Sequence, residues 1–305
     1  MILSTPDPDA VVPFDRLAPI LDTFRVRSSL FHAGALCGTT HFDAQPGRAF
    51  LHVLRKGELT VHHPGAAGEP RVVQAPAVLF YPRALAHAFI NPPVDGADFV
   101  CATLAFDGGD QHPLAAALPA AVILPLDDID GLKATFDLLF SEADRTHCGS
   151  HTVLDRLFDV VLVQLLRHLL SGAASDRLSP GLLAGLAHPR LAPLLTALHR
   201  APGEPWPLER MARTARLSRS ALADIFRRVV GTSPAAYLAA WRIEVACRQL
   251  LIGRPIATVA NALGFASAAA FSRAFRERKG CAPRQWCRRN TAQGAPAAAP
   301  ASATT

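Results

Sequence analysis

With 305 residues, half of them hydrophobic, the chain is too long for one small domain and suits two, each with a core of its own. Its net charge of +6 is unevenly spread: residues 200–290 hold 17 Lys or Arg against 5 Asp or Glu, whereas residues 1–199 hold 14 against 20. A basic half behind an acidic half points to a polyanionic partner or to a solvated basic face, and six scattered cysteines without Cys-x-x-Cys spacing exclude a zinc-finger framework.

The opening "MILSTPDPDA" lacks the basic and apolar regions of a signal peptide. A reduced, cytoplasmic protein is the expectation. From about Phe24 to Phe106 the chain reads as β: short runs such as "AFLHVLRKGELTVHH", "RVVQAPAVLFYP" and "DFVCATLAF" are punctuated by Gly and Pro, the pattern of a small barrel or sandwich. Helical spacing takes over after "LPAAVILPLDD", with one helix over 131–143 and a second around His151–Leu170. The second contains the most apolar long run, but Asp155, Arg156, Asp159, Arg167 and His168 interrupt it, so it does not span a membrane. Leu154, Phe158, Val161, Leu165 and Leu169 form its stripe, with Val153, Leu157 and Val160 beside it. That much apolar surface fits packing on its own barrel or a dimer seam. Residues 171–185 read as a linker, and the low-complexity tail 291–305 as disordered.

Between linker and tail, one pattern is written twice. "SRSALADIFRRVVGTSP" (218–234) and "SAAAFSRAFRERKGCAP" (267–283) pair Leu222 with Phe271, Phe226 with Phe275, Gly231 with Gly280 and Pro234 with Pro283. Helical spacing turns Leu222, Ile225, Phe226 and Val229 inward in the first copy, and Phe271, Ala274 and Phe275 in the second. Ser218 and Ser267 are natural N-caps, and Gly231 and Gly280 stand where a left-handed residue ends a helix. A short helix precedes each copy, in "LERMARTARL" and in "IATVANALGF", with small Ala212 and Ala260 for close packing. This is the helix-turn-helix arrangement, and its second helix fits a major groove. A connecting helix of nineteen residues from Pro234, about 28 Å long, is expected to carry both heads, anchored by Tyr237, Leu238 and Trp241.

These residues resemble the DNA-binding domain of AraC/XylS-family transcription regulators, through "PWPLERMARTARLSRSALADIFRRVVGTSPAAYLAAWRIEVACRQLL" and the Gly264–Pro283 stretch. The resemblance implies base contacts from the start of each second helix: Arg219, Ser220, Ala223 and Asp224 in the first head, and Ala269, Ala270 and Arg273 in the second. Asp224 is expected to pair with Arg228 one turn on, the alternative being a bond to a cytosine amino group. Arg227, Arg228, Ser272, Arg276 and Arg278 complete the expected DNA-binding set, with arginines farther along each helix on phosphates.

"LFHAGALCGTTHFDA", "FLHVLRKGEL" and "FYPRALAHAF" resemble the cupin-like sensor domain of one branch of that family, which implies a barrel that binds an effector or mediates dimerisation. Cupins can hold a metal through His, His, Glu and a later His. Here His52 and Glu58, then His87 and Asn91, stand near those places, but Leu54 replaces the second histidine, so no metal or other cofactor is expected. His52 reads as a core histidine, while His87 remains a candidate donor to an effector. Cys37 and Cys101 lie in strand-like stretches and are expected either to approach each other as a redox pair or to serve as small buried apolar groups.

The fold class expected is multidomain α+β: a cupin-like β-barrel with trailing helices over 1–170, then an all-α double helix-turn-helix domain over 186–290. The function expected is sequence-specific transcription regulation, with activation supplied by the resemblance alone. Expected partners are promoter double-stranded DNA, RNA polymerase, an unidentified small-molecule effector and a second copy of the chain. A cupin metalloenzyme with an appended DNA-binding module is the alternative. No Gly-x-Ser-x-Gly elbow or phosphate loop supports catalysis.

Overall fold

Strand β1 (Val26–Leu36) has period-two exposure along its length, the mark of a strand with one face toward a core. The computed structural model describes residues 15–293, apart from 66–68, 93–95, 130, 146 and 176–177. After a short helix α1 (Ala18–Thr23) and β1 come β2 (Thr39–Phe42), β3 (Arg48–Lys56), β4 (Glu58–His62), β5 (Arg71–Gln74), β6 (Ala77–Tyr81), β7 (His87–Ile90) and β8 (Ala97–Phe106). Helix α2 (Pro113–Ala117) leads to the last strand, β9 (Val122–Pro125). Two antiparallel sheets result, ordered β1-β8-β3-β6-β9 and β2-β7-β4-β5. Both contribute to one core that includes Phe50, Leu54, Leu59, Tyr81, Phe89, Phe99 and Cys101. The expected barrel-like β unit is therefore present.

Helices α3 (Leu132–Ala143) and α4 (Ser150–Leu169) follow the strands, close to the expected limits. The stripe of Leu154, Phe158, Val161, Leu165 and Leu169 is buried, and α4 packs on β1 and α3. The aspartates that break its apolar run have a use. Asp155 accepts from the backbone N–H of Leu30 at 2.7 Å and Asp159 from the hydroxyl of Ser28 at 2.7 Å. Strand β1 lies at the edge of its sheet, so these carboxylates satisfy polar groups that a neighbouring strand does not. Arg55 makes a second tie, from β3 to Asp144 at the end of α3 at 2.7 Å and to Asp98 of β8.

Helices α5 (Gly172–Ser175), α6 (Leu182–Ala187) and α7 (Leu191–Arg200) come next. The segment 171–185 is thus partly helical, because Leu182, Leu183 and Leu186 bury their side chains. The chain divides into two compact units between Ala192 and Pro193, with Arg228–Gly231 grouped with the first.

The second unit is helical: α8 (Leu208–Thr214), α9 (Arg219–Val230), α10 (Pro234–Leu251), α11 (Ile256–Ala262), α12 (Ala268–Lys279) and α13 (Pro283–Gln293). Of the tail, residues 294–305 lie outside the described residues. Ser233 caps α10 by accepting from the Ala236 N–H, and Pro234 takes the first helical position. The helix has 18 residues, one fewer than expected, which at 1.5 Å each gives about 27 Å. It packs against α8 on one side of the repeat and against α11, α12 and α13 on the other. Leu238 and Trp241 are buried, and Trp241 lies 4.0 Å from His199 between ring centroids. Tyr237 shares a 2.6 Å hydrogen bond with His199. Burial holds His199 at a pKa of about 3, so the bond joins two neutral groups.

The loop before α8 meets the turn between α11 and α12. Gly264 has φ +71°, and a Cβ there would stand 2.3 Å from the Gly203 carbonyl oxygen. Arg242 of α10 fastens the same loop, donating to the carbonyls of Pro202 at 2.7 Å and Glu204 at 3.0 Å. Both halves of the repeat are thereby tied to one helix.

Candidate nucleic-acid interface

The two helix pairs match closely. Each short helix, α8 and α11, has 7 residues and follows a proline, Pro207 or Pro255. The turns close alike: the N–H of Leu217 donates to Ala212 at 2.9 Å, and that of Phe265 to Ala260 at 3.0 Å. Each turn passes through one left-handed residue, Gly264 in the second head and Arg216 with φ 52° in the first. Glycine reaches that conformation freely, whereas arginine strains to do so. Ala266 lengthens the second turn by one residue. The helix starts are then 49 positions apart, while the short helices are 48 apart.

Ser218 accepts from the N–H of Ala221 at 3.2 Å and Ser267 from that of Ala270 at 3.1 Å, so both serines cap as expected. The inward faces close on Leu222, Phe226 and Val230 in α9, and on Phe271 and Phe275 in α12. Ile225, Val229 and Ala274, expected inside, are half-buried at the margins.

On the free face of α9 the side chains of Arg219, Ser220, Asp224, Arg227 and Arg228 are exposed, with Ala223 half-buried. On α12 the exposed set is Ala269, Arg273, Arg276 and Arg278, with Ala270 and Ser272 half-buried. Arg227, Arg273 and Arg276 have no ion pair among the described residues. These unneutralised guanidiniums are what an incoming phosphate or guanine edge can engage.

One expected pair is absent, and two expected residues have a partner within the protein. Arg278 donates to the Ala236 carbonyl of α10 at 2.9 Å, so it braces the fold, because the last turn of α12 lies over the start of α10. The Asp224–Arg228 pair is absent among the described residues; both side chains are solvated, where water competes well with a single turn-to-turn ion pair. Arg219 is already engaged, with Nη1 donating to Glu209 at 2.8 Å across the turn. Glu209 carried no motif to mark it in the sequence.

In the β unit, His52 and His87 come from opposite sheets to place their Nε2 atoms 3.0 Å apart. His87 Nδ1 lies 2.9 Å from the Leu85 carbonyl, which only accepts, so that nitrogen carries the proton. Nε2 of His87 is then an acceptor, and His52 Nε2–H donates to it. Nδ1 of His52 is buried and has no partner among the described residues. Tyr81 and Phe42 stack on His87 at 3.8 and 4.8 Å between centroids. Burial depresses the pKa of His87 to about 4, and burial together with His87 drives His52 well down. With both nitrogens of His87 engaged, the expected donor to an effector is spent inside the core.

The metal donors of a cupin do not assemble here. Glu58 is exposed and accepts from Gln74 at 3.0 Å, Leu54 is fully buried in the core, and the Asn91 amide lies near the Gly38 carbonyl. Among the described residues no three His, Cys, Asp or Glu side chains converge. The residues do not fit a metal.

Cys37 and Cys101 do not meet. Cys101 faces His32 across β1 and β8, whereas Cys37 lies beyond Leu36, five residues farther along, about 16 Å at strand rise. Cys101 is fully buried and its thiol is pushed well up by desolvation, which suits a packing role. Cys37 is exposed. No helix among the described residues is long and apolar enough to cross a membrane.

A family described as cupin matches residues 15–171, and a helix-turn-helix domain family matches residues 211–289. A putative AraC-like transcription regulator of Streptomyces lividans is 38% identical over 176 residues, covering 57% of each chain. The RCS-specific HTH-type transcriptional activator RclR of Escherichia coli K12 is 25% identical over 242 residues, 77% of this chain and 82% of that one. A solved AraC-type regulator from Chromobacterium violaceum is 25% identical, over 35% of this chain and 96% of its own, with a TM-score of 0.33. The chain spans 57% of the length of the two Streptomyces relatives it matches.

Proposed function

We propose, on the premise that the chain belongs to the AraC family of regulators with an N-terminal cupin-like domain, that it binds double-stranded DNA in a sequence-specific way and activates transcription. In this reading two recognition helices, α9 and α12, enter two major grooves on one face of the duplex. One observation carries it: two capped helices with unpaired arginines on their free faces belong to two helix pairs that both pack on a single helix, α10. A single head would read too few base pairs to be specific, whereas two held together read a composite site.

The β unit is assigned the control of DNA binding from a cytoplasmic position, through a small molecule or through association with a second copy. Val153 and Val160 stay exposed on the outer side of α4, which supports a surface for that association. Of the two candidate cysteines, only Cys37 is placed to meet a solvent-borne reagent. RNA polymerase is the partner that activation requires. The scattered donor set in the barrel favours a regulator over a metalloenzyme.

Selection of bound fragments from a randomised duplex library by the full chain tests the reading. An enriched motif of two elements about one helical turn apart is expected. Retention of DNA without any enriched motif counts against it and in favour of a nonspecific binder.

A further inference from the structure

The first helix-turn-helix carries a side-chain pair that the second lacks. Because α8 and α11 match at a separation of 48 and α9 and α12 at 49, Glu209 corresponds to Ala257 and Arg219 to Ala268. Both members of the ion pair become alanine in the second head. Glu209 lies in the first turn of α8, where an anion is favoured by the exposed N–H groups. Its carboxyl is held below the usual carboxylate range, first by its own backbone N–H and next by Arg219. The two side chains thereby tie the first turn of α8 to the first position of α9.

We propose that Glu209 is a positioning residue for base reading, holding Arg219 so that its remaining N–H donors meet a guanine edge in the major groove. The inference rests on α9 being a recognition helix. An unheld arginine on a long, flexible stem finds the nearest phosphate, which carries no sequence information. With one edge of the guanidinium taken by Glu209, other donors stay available for O6 and N7 of guanine. The carboxylate also repels the DNA backbone, which weakens docking at sites where no guanine repays it. The second head has only methyl groups at these positions, so its first turn lacks this device.

The test uses the full chain as parent, Glu209→Gln, Glu209→Asp, Arg219→Ala and the double variant Glu209→Gln/Arg219→Ala. Each is put through library selection, followed by affinities for the best duplex and its single-base variants. Arg219→Ala is expected to erase preference at one base pair. Glu209→Gln is expected to lower preference at that same base pair by on the order of tenfold, Glu209→Asp to restore part of it, and the double variant to match Arg219→Ala. Preference in the other half of the motif stays unchanged throughout.

The proposal is overturned if Glu209→Gln leaves base preference intact, shifts all duplexes equally, or adds to the loss in Arg219→Ala. A lower melting temperature with intact preference also overturns it, since Glu209 then serves only α8. If the parent itself enriches no motif, the reading of sequence-specific binding falls and takes this proposal with it; a parent motif with an indifferent Glu209→Gln sinks the proposal alone.

Discussion

His52 donates a 3.0 Å hydrogen bond to His87 in the core of the β unit, where both rings are buried. The protons of the pair are assigned by a backbone carbonyl, that of Leu85. The aromatic rings of Phe42, Tyr81 and Phe89 close around the pair. Two neutral imidazoles buried this way make stability depend on acid.

The sign follows from the lowered pKa values. Below pH 6.5 the unfolded histidines take up protons, while folded His87 stays neutral until about pH 4. Stability is therefore complete above pH 6.5 and falls as the pH drops toward 4, by roughly 3 kcal/mol from His87. Urea unfolding between pH 8 and 4 measures it. The double variant His52→Leu/His87→Phe should show a flatter slope across that window.

Gly264→Ala is expected to destabilise the helical unit by ~2 kcal/mol or more, since the new Cβ meets the Gly203 carbonyl at 2.3 Å and the backbone is left-handed. Thermal unfolding reads the loss. A melting temperature equal to the parent's would mean that the loop before α8 yields freely.

Arg273→Ala should relax preference at one position and weaken specific binding by ~1–3 kcal/mol. Arg227→Ala and Arg276→Ala, farther along their helices, should weaken binding to every duplex and flatten its salt dependence. Affinities at several salt concentrations, for matched and mismatched sites, separate the two classes. Salt slopes equal to the parent's would remove Arg227 and Arg276 from the phosphate contacts.

Arg278→Ala should leave the bound motif unchanged and lower stability by about 1 kcal/mol, because its guanidinium serves the Ala236 carbonyl. A changed motif would return Arg278 to the DNA-contacting set.

The helical half was legible because its signals are local. Ser218, Ser267, Ser233, Gly231 and Gly280 announce helix ends within a few residues, and Leu222, Phe226, Phe271 and Phe275 mark a buried face by spacing alone. The roles of exposed arginines were less so: whether Arg278 meets DNA or Ala236 depends on how α12 lies over α10, which no local spacing encodes. The β unit was legible as alternation and turns, but strand pairing is long-range. That Cys101 sits opposite His32 and far from Cys37, or that Asp155 meets Leu30, depends on register across more than sixty residues of chain.

The clasp of Gly203 on Gly264, with Arg242 across both loop carbonyls, bears on how the operator can change over time. Two heads on a loose tether would find each other's half-sites over a range of separations, at a modest effective concentration. Two heads on a clasped frame gain a high effective concentration at one phasing and almost none elsewhere. On the proposed reading, inserting half a helical turn between half-sites is therefore expected to abolish joint binding, whereas base substitutions within a half-site only grade it. Promoters under such a protein are free to drift in letters, but not in length.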